Sequence, residues 1–260
     1  MPYAHADAAE IYYETHGEGS PLVLAHGAGG NTLVWWQQIP NFSRHHQVIV
    51  FDHRCFGRSR CEKSDFAPRH FANDLIAVLD DAGVDRAAVV GMSMGGWTAL
   101  PAAVRFPERV EKLVLCGTPG GLITDSVLQA MIAIARDANE QGEESLRGSV
   151  TFSDRFQRER PEMVHLYNEI SALNVNFDPP MMGAMATAEA RLELSELDVY
   201  DTPTLMIAAE NDRLFPSEVL SEVAALIPGC ELADFPDAGH SMYYEDPELY
   251  ERIVLDFLRR

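Results

Sequence analysis

The sequence predicts an α/β domain, a mostly parallel central sheet with helices on both faces. Three observations carry that prediction. At 260 residues, 47% of them apolar, the chain can fill one large core. Short β-branched runs alternate along it with longer amphipathic segments. The runs are nearly all apolar, as strands buried on both faces must be, and they end in glycine or polar residues.

In chain order, "AEIYYETHG" (9–17) alternates polar and apolar positions and reads as an antiparallel edge strand. "PLVLAHG" (21–27), "QVIVFDH" (47–53), "AAVVGMS" (87–93), "VEKLVLCG" (110–117) and "PTLMIAAE" (203–210) read as buried strands. Helical patterns fill roughly 31–40, 67–82, 94–106, 216–227 and 246–259. "CELADF" (230–235) supplies one more strand before the last helix. Pro101 falls inside the 94–106 pattern and removes a helical hydrogen bond, which predicts a kink.

The rhythm breaks between 119 and 197, where helical patterns replace strands. One crossover does not need so many residues. A helical cap over 119–197, inserted in a core of 1–118 and 198–260, accounts for the stretch. The cap is rich in methionine (Met131, Met163, Met181, Met182, Met185), a pliable apolar lining for a pocket or ordinary core packing. Trp35 and Trp36 carry the same two readings.

Charge narrows the partners. A net charge of −20, with lysine only at positions 63 and 112, argues against nucleic acid and against an anionic membrane surface. No run approaches the ~20 apolar residues of a membrane span, and the start "MPYAHADAAEIYYE" is not a signal peptide. Cys55, Cys61, Cys116 and Cys230 form no CxxC pair and read as unpaired thiols, consistent with a reducing cytoplasm. No metal or cofactor is expected. The expected partner is a small molecule, and the chain a monomer or homodimer.

The chemistry centres on "VVGMSMGGWTAL" (89–100). Gly91-Met92-Ser93-Met94-Gly95 matches G-x-S-x-G between a strand and a helix, where a tight turn exposes the serine hydroxyl and only glycine fits two residues to either side. Serine needs a base held in one tautomer. His240 lies on a loop after the "CELADF" strand, and Asp212 just past the end of "PTLMIAA". Glu210 and Asp237 are the rival acids nearby.

These residues, with "HGAGGN" (26–31), "DHRCFGRS" (52–59), "ENDRLFP" (210–216) and "DAGHSMYYEDPE" (237–248), resemble the α/β-hydrolase family along nearly the whole chain. The cap segment "TFSDRFQRERPEMVHLYNEI" (151–170) and the stretch "LSELDVYDTPTLMIAAENDRLFP" (194–216) are similar to the subgroup of 3-oxoadipate enol-lactonases and related small esterases. The resemblance implies Ser93 as nucleophile, His240 as base and then acid, and Asp212 as its orienting partner. It assigns an oxyanion hole to the backbone N–H groups of Ala28 and Met94. It implies a carboxylic ester or lactone as substrate, with His26 structural. The same triad also serves carbon–carbon bond hydrolases, acyltransferases and perhydrolases, and a ligand receptor could keep the scaffold. Cys55 stands where the family usually shows glycine, and Ala209 where glycine is common before the acid motif.

Overall fold

The computed structural model describes residues 2–141 and 150–260. Residues 142–149 of the expected cap lie outside the described residues.

Eight strands form one sheet: β1 (Tyr3–Ala6), β2 (Ala9–His16), β3 (Ser20–Ala25), β4 (His46–Phe51), β5 (Ala87–Met92), β6 (Val110–Cys116), β7 (Thr204–Ala209) and β8 (Glu231–Phe235), in the order β1-β2-β4-β3-β5-β6-β7-β8. From β4 to β8 every pairing is parallel. β2 runs antiparallel to β4, as its alternation predicts, but it is not the edge. β1 pairs outside it through a tight turn with Asp7 at φ +47°. Four residues of mixed character give β1 no pattern of its own.

The helices are α1 (Gln38–Phe42), α2 (Phe71–Asp81), α3 (Gly96–Arg105), α4 (Asp125–Gln141), α5 (Asp154–Glu159), α6 (Pro161–Ala172), α7 (Ser217–Leu226), α8 (Met242–Glu245) and α9 (Pro247–Leu258). Side chains alternate across a strand, so each buried strand feeds two cores. Val23, Ala25, Val89, Leu113 and Met206 pack with Leu75 and Val78 of α2, Leu100 of α3 and Val223 of α7. Leu22, Leu24, Val50, Val90 and Ile207 pack with Phe42 of α1 and Tyr250 and Val254 of α9. α3 runs through Pro101 to Arg105, so the proline does not end it. The described residues between β6 and β7 contain helices and no strand.

All six parallel strands end at the same edge of the sheet. The chain leaves β3 toward β4 on one side and returns to β5 on the other, which opens a crevice between the β3 and β5 ends.

One expectation is overturned. Cys55 and Cys61 are joined in a disulfide, with Cα atoms 5.5 Å apart. Cys55 adopts φ +66°, the left-handed conformation a glycine would take without strain, and the loop after β4 then folds back to meet Cys61. Only Cys116 and Cys230 are unpaired thiols, so the cysteines give no support to a reducing compartment. Burial drives the Cys116 thiol up to about 12, leaving it protonated and unreactive. Beside Cys55, the buried Arg54 guanidinium grips the Asp74 carboxylate of α2 and donates to Asp65 O at 2.9 Å, fixing the loop on the core. No helix of the described residues is long and apolar enough to cross a membrane.

Candidate active site

Ser93 follows the last residue of β5 and starts the turn that leads into α3. Its φ of +50° is rare and strained for a residue with a side chain. Packing enforces it. A Cβ on Gly91 would stand 2.7 Å from Gly95 O and from the Ala99 methyl, and one on Gly95 would collide with the Ala25 carbonyl of β3. The serine is 8% exposed, at the positive end of the helix it begins.

Asp212 and His240 reach the same edge from β7 and β8. His240 Nδ1 lies 2.8 Å from Asp212 Oδ2. A carboxylate can only accept, so Nδ1 carries a proton. The other carboxylate oxygen, Oδ1, accepts the amides of Leu214 and Phe215 at 2.8 and 3.0 Å. Both residues are buried, Asp212 at 4% exposure and His240 at 7%, and Nε2 has no hydrogen-bond partner among the described residues, Ser93 included. The rival acids are turned elsewhere: exposed Glu210 accepts the amide of Asp237, itself exposed.

Strand register puts Ser93 at the strand end against which this pair lies. Met92 of β5 pairs with Cys116 of β6, which sets Ser93 next to Gly117. A Cβ on Gly117 would stand 3.2 Å from both His240 Nδ1 and Asp212 Oδ2, so glycine is needed for the imidazole to lie against this strand end. Phe215 lines one cavity with Ser93 and has its ring 6.3 Å from that of His240.

That cavity, about 520 Å³, has no charged side chain in its lining among the described residues. Met94, Trp97 and Phe215 form the walls, and Met131, Met182 and Met185 close it from the helical segment between β6 and β7. Met163 packs on the opposite core instead. Trp35 is buried against Tyr243 and Trp36 is exposed; neither lines the cavity. Trp97 is an aromatic wall that sequence reasoning missed. The signal was there, because Met94 and Trp97 are three apart and share a helical face.

The loop after β3 carries Ala28. Gly30 donates to Gly27 O at 3.0 Å, closing a turn with Ala28 in second place and Gly29 at φ +79° in third. Below it, His26 Nε2 accepts the His53 amide at 3.0 Å while Nδ1 lies 2.8 Å from Gly27 O, a structural role as expected. His53 is buried too, with Nε2 2.7 Å from Thr98 Oγ1. Burial holds both imidazoles below the usual histidine range, and for His53 the nearby Arg54 guanidinium adds to it. Met94 is the second residue of its helical turn, where the amide has no intrahelical acceptor.

Two residues that sequence reasoning did not single out support the loops. Glu245 of α8 accepts from the Gly239 amide at 2.9 Å, beside His240, and from the Ser153 amide and hydroxyl at 2.8 and 2.6 Å. Burial pushes its carboxyl pKa up against those hydrogen bonds, which pull it down. Asn174, just past α6, donates to Gly29 O and Gly30 O at 2.9 and 3.1 Å and accepts from the Gly57 amide at 2.8 Å.

Comparison with known proteins agrees with this architecture. A family model described as the alpha/beta hydrolase fold matches residues 20–247. A putative carbamate hydrolase, RutD, of Azorhizobium caulinodans is 32% identical, over 99% of this chain and 98% of that one. Among solved structures, Est816, described as an N-acyl homoserine lactone degrading enzyme, superposes with a TM-score of 0.86 at 30% identity, covering 98% of this chain and 100% of its own. The enol-lactonase of Burkholderia xenovorans shares the fold, with a TM-score of 0.83 at 24% identity and full coverage of both chains. The chain is a hydrolase that belongs to the alpha/beta-hydrolase family.

Proposed function

We propose that the chain is a serine hydrolase of carboxylic esters and lactones whose acyl part is uncharged and of small to medium length. The observation that carries this reading is the Asp212–His240 hydrogen bond, which leaves Nε2 unpartnered among the described residues at the strand edge where Ser93 begins its helix.

In this reading, His240 Nε2 takes the Ser93 hydroxyl proton as Oγ attacks the carbonyl carbon. The carbonyl oxygen becomes an oxyanion and accepts the N–H groups of Ala28 and Met94. The imidazolium, steadied by Asp212, returns its proton to the departing alkoxide, and an alcohol leaves the acyl-enzyme. Water then gives a proton to His240 and attacks the acyl carbon; as the acyl–Oγ bond breaks, His240 returns that proton to Ser93 Oγ and the acid leaves. In a lactone the alcohol stays tethered, and the product is one hydroxy acid.

The cavity sets the acyl preference. Its walls offer methionine, tryptophan and phenylalanine and, among the described residues, no cation, so a carboxylate on the acyl chain would lose its hydration without a partner there. Residues 119–197 act in this reading as a cap over a core of 1–118 and 198–260.

Turnover of p-nitrophenyl butyrate and hexanoate by the wild type and by Ser93→Ala tests the proposal, with products identified by mass spectrometry. Acid and alcohol are expected from the wild type, and only background hydrolysis from a folded Ser93→Ala. Equal rates in the two proteins would remove Ser93 from the chemistry.

A further inference from the structure

We infer that Asn174 is a positioning residue: seated from the cap side, it holds the loop bearing the Ala28 amide in its oxyanion-binding shape. The inference rests on the nucleophile and oxyanion roles proposed above.

The turn around Ala28 has two sides. Its inner side is tied to the core by His26 and by the Gly30–Gly27 hydrogen bond. Its outer side presents the carbonyls of Gly29 and Gly30 to the C-terminal end of α6. Asn174 meets both with one amide nitrogen. The same nitrogen-to-carbonyl pattern recurs beside it, where Asn31 Nδ2 donates to Ile170 O at 2.9 Å.

The amide cannot turn over. Asn174 Oδ1 accepts from Gly57 N–H and, at 3.3 Å, from Asn31 Nδ2, so a flip would set donors against donors and oxygen against carbonyls. The side chain is 7% exposed, and water cannot readily replace a lost partner. Close approach is built into the loop as well: a Cβ on Gly29 would stand 3.2 Å from Ser171 Oγ at the end of α6.

An oxyanion donor is effective because it is fixed before the charge develops. Loosening the outer side of the turn lets the Ala28 N–H drift while leaving the acyl cavity intact, because Asn174 is not among that cavity's lining residues. The loss should therefore fall on the transition state and spare substrate binding.

The test compares wild type, Asn174→Asp and Asn174→Ser with p-nitrophenyl hexanoate, alongside inhibition by an alkyl boronic acid. A boronate bonded to Ser93 places an oxygen where the oxyanion forms, so its affinity reports on the loop. Aspartate keeps the acceptor for Gly57 and loses the donor to the two carbonyls. We expect kcat to fall on the order of 10²-fold, KM to stay within about threefold, and boronate affinity to fall in step with kcat. A kcat within threefold of wild type, a loss seated in KM with boronate affinity unchanged, or failure of both variants to fold would each overturn the inference. A Ser93→Ala control separates the two levels. If it keeps full turnover, the functional reading fails and this inference with it; if it is inert while Asn174→Asp is fully active, this inference alone fails.

Discussion

Asp212 spends both of its oxygens, one on His240 Nδ1 at 2.8 Å and the other on the amides of Leu214 and Phe215. The carboxylate is thereby locked to the backbone just beyond it, and the imidazole inherits that fixed orientation. Asp212→Asn would present an amide that can donate to Nδ1, favouring the tautomer with its proton on Nε2. Turnover should drop by on the order of 10⁴-fold with the fold retained. Glu210→Gln should stay near wild type, since the Glu210 side chain accepts from the exposed Asp237 amide rather than from His240. Steady-state kinetics of the two variants decide the matter, and a steep loss in Glu210→Gln would shift the acid to that residue.

The cavity, uncharged among its described lining residues, predicts a graded acyl preference. Each methylene that enters it should raise kcat/KM by up to about fourfold, the equivalent of ~0.8 kcal/mol of apolar burial. The rise should stop once the space of about 520 Å³ is filled. An acyl chain of equal length ending in a carboxylate should be a far poorer substrate. A flat chain-length series, or parity with the carboxylated ester, would contradict the role given to Met131, Met182 and Met185.

The Arg54–Asp74 pair is buried at both ends and bidentate. Burial raises the Asp74 carboxyl pKa, and the guanidinium opposes the rise. Arg54→Leu leaves an unpaired carboxylate in the core and should destabilise the protein by about 3–5 kcal/mol, read as a lower urea midpoint. A change within about 0.5 kcal/mol would assign the pair no role in stability.

The Cys55–Cys61 bridge closes a loop with a sequence separation of 6. Loop-closure entropy for so short a ring is about 2–3 kcal/mol. Reduction should therefore lower the melting temperature by several degrees, about 2–4 °C per kcal/mol at this size. Intact-mass measurement before and after reduction and alkylation counts the bridge directly. Four alkylated cysteines without reductant would show that it does not form.

Acid should unfold the protein from its buried histidines. His26 and His53 have their pKa values held below the ordinary 6.5 by burial. As pH falls below that value, the unfolded chain binds protons that the folded one refuses, so stability decreases. Each histidine contributes a slope of up to about 1.4 kcal/mol per pH unit in that window. Urea midpoints at pH 7, 6 and 5 test it, and unchanged midpoints would contradict the sign.

How much of the molecule is legible in its sequence depends on the range of the forces involved. The parallel strands were legible because burial on both faces writes itself into consecutive residues, as in Leu22-Val23-Leu24. Gly91 and Gly95 were legible because their crowding arises mostly within one turn and the adjoining strand. β1 was not, since it exists by pairing with β2 rather than by its own pattern. The disulfide depends on the path of a loop, which spacing alone does not give. Asn174 and Glu245 escaped for a related reason. Asn174 meets backbone atoms 145 and 117 positions away, and no side-chain pattern records a backbone partner. Glu245 meets Ser153 across 92.

Two stretches of the segment between β6 and β7 are thus bolted down: Ser153 onto Glu245, and Asn174 onto the β3 loop. The methionines of α4 and of 179–186 carry neither fastening. Exchanging those stretches for counterparts from a relative would remodel what the enzyme accepts while leaving the reacting machinery in register, and a graft that also crossed Ser153 or Asn174 would forfeit it.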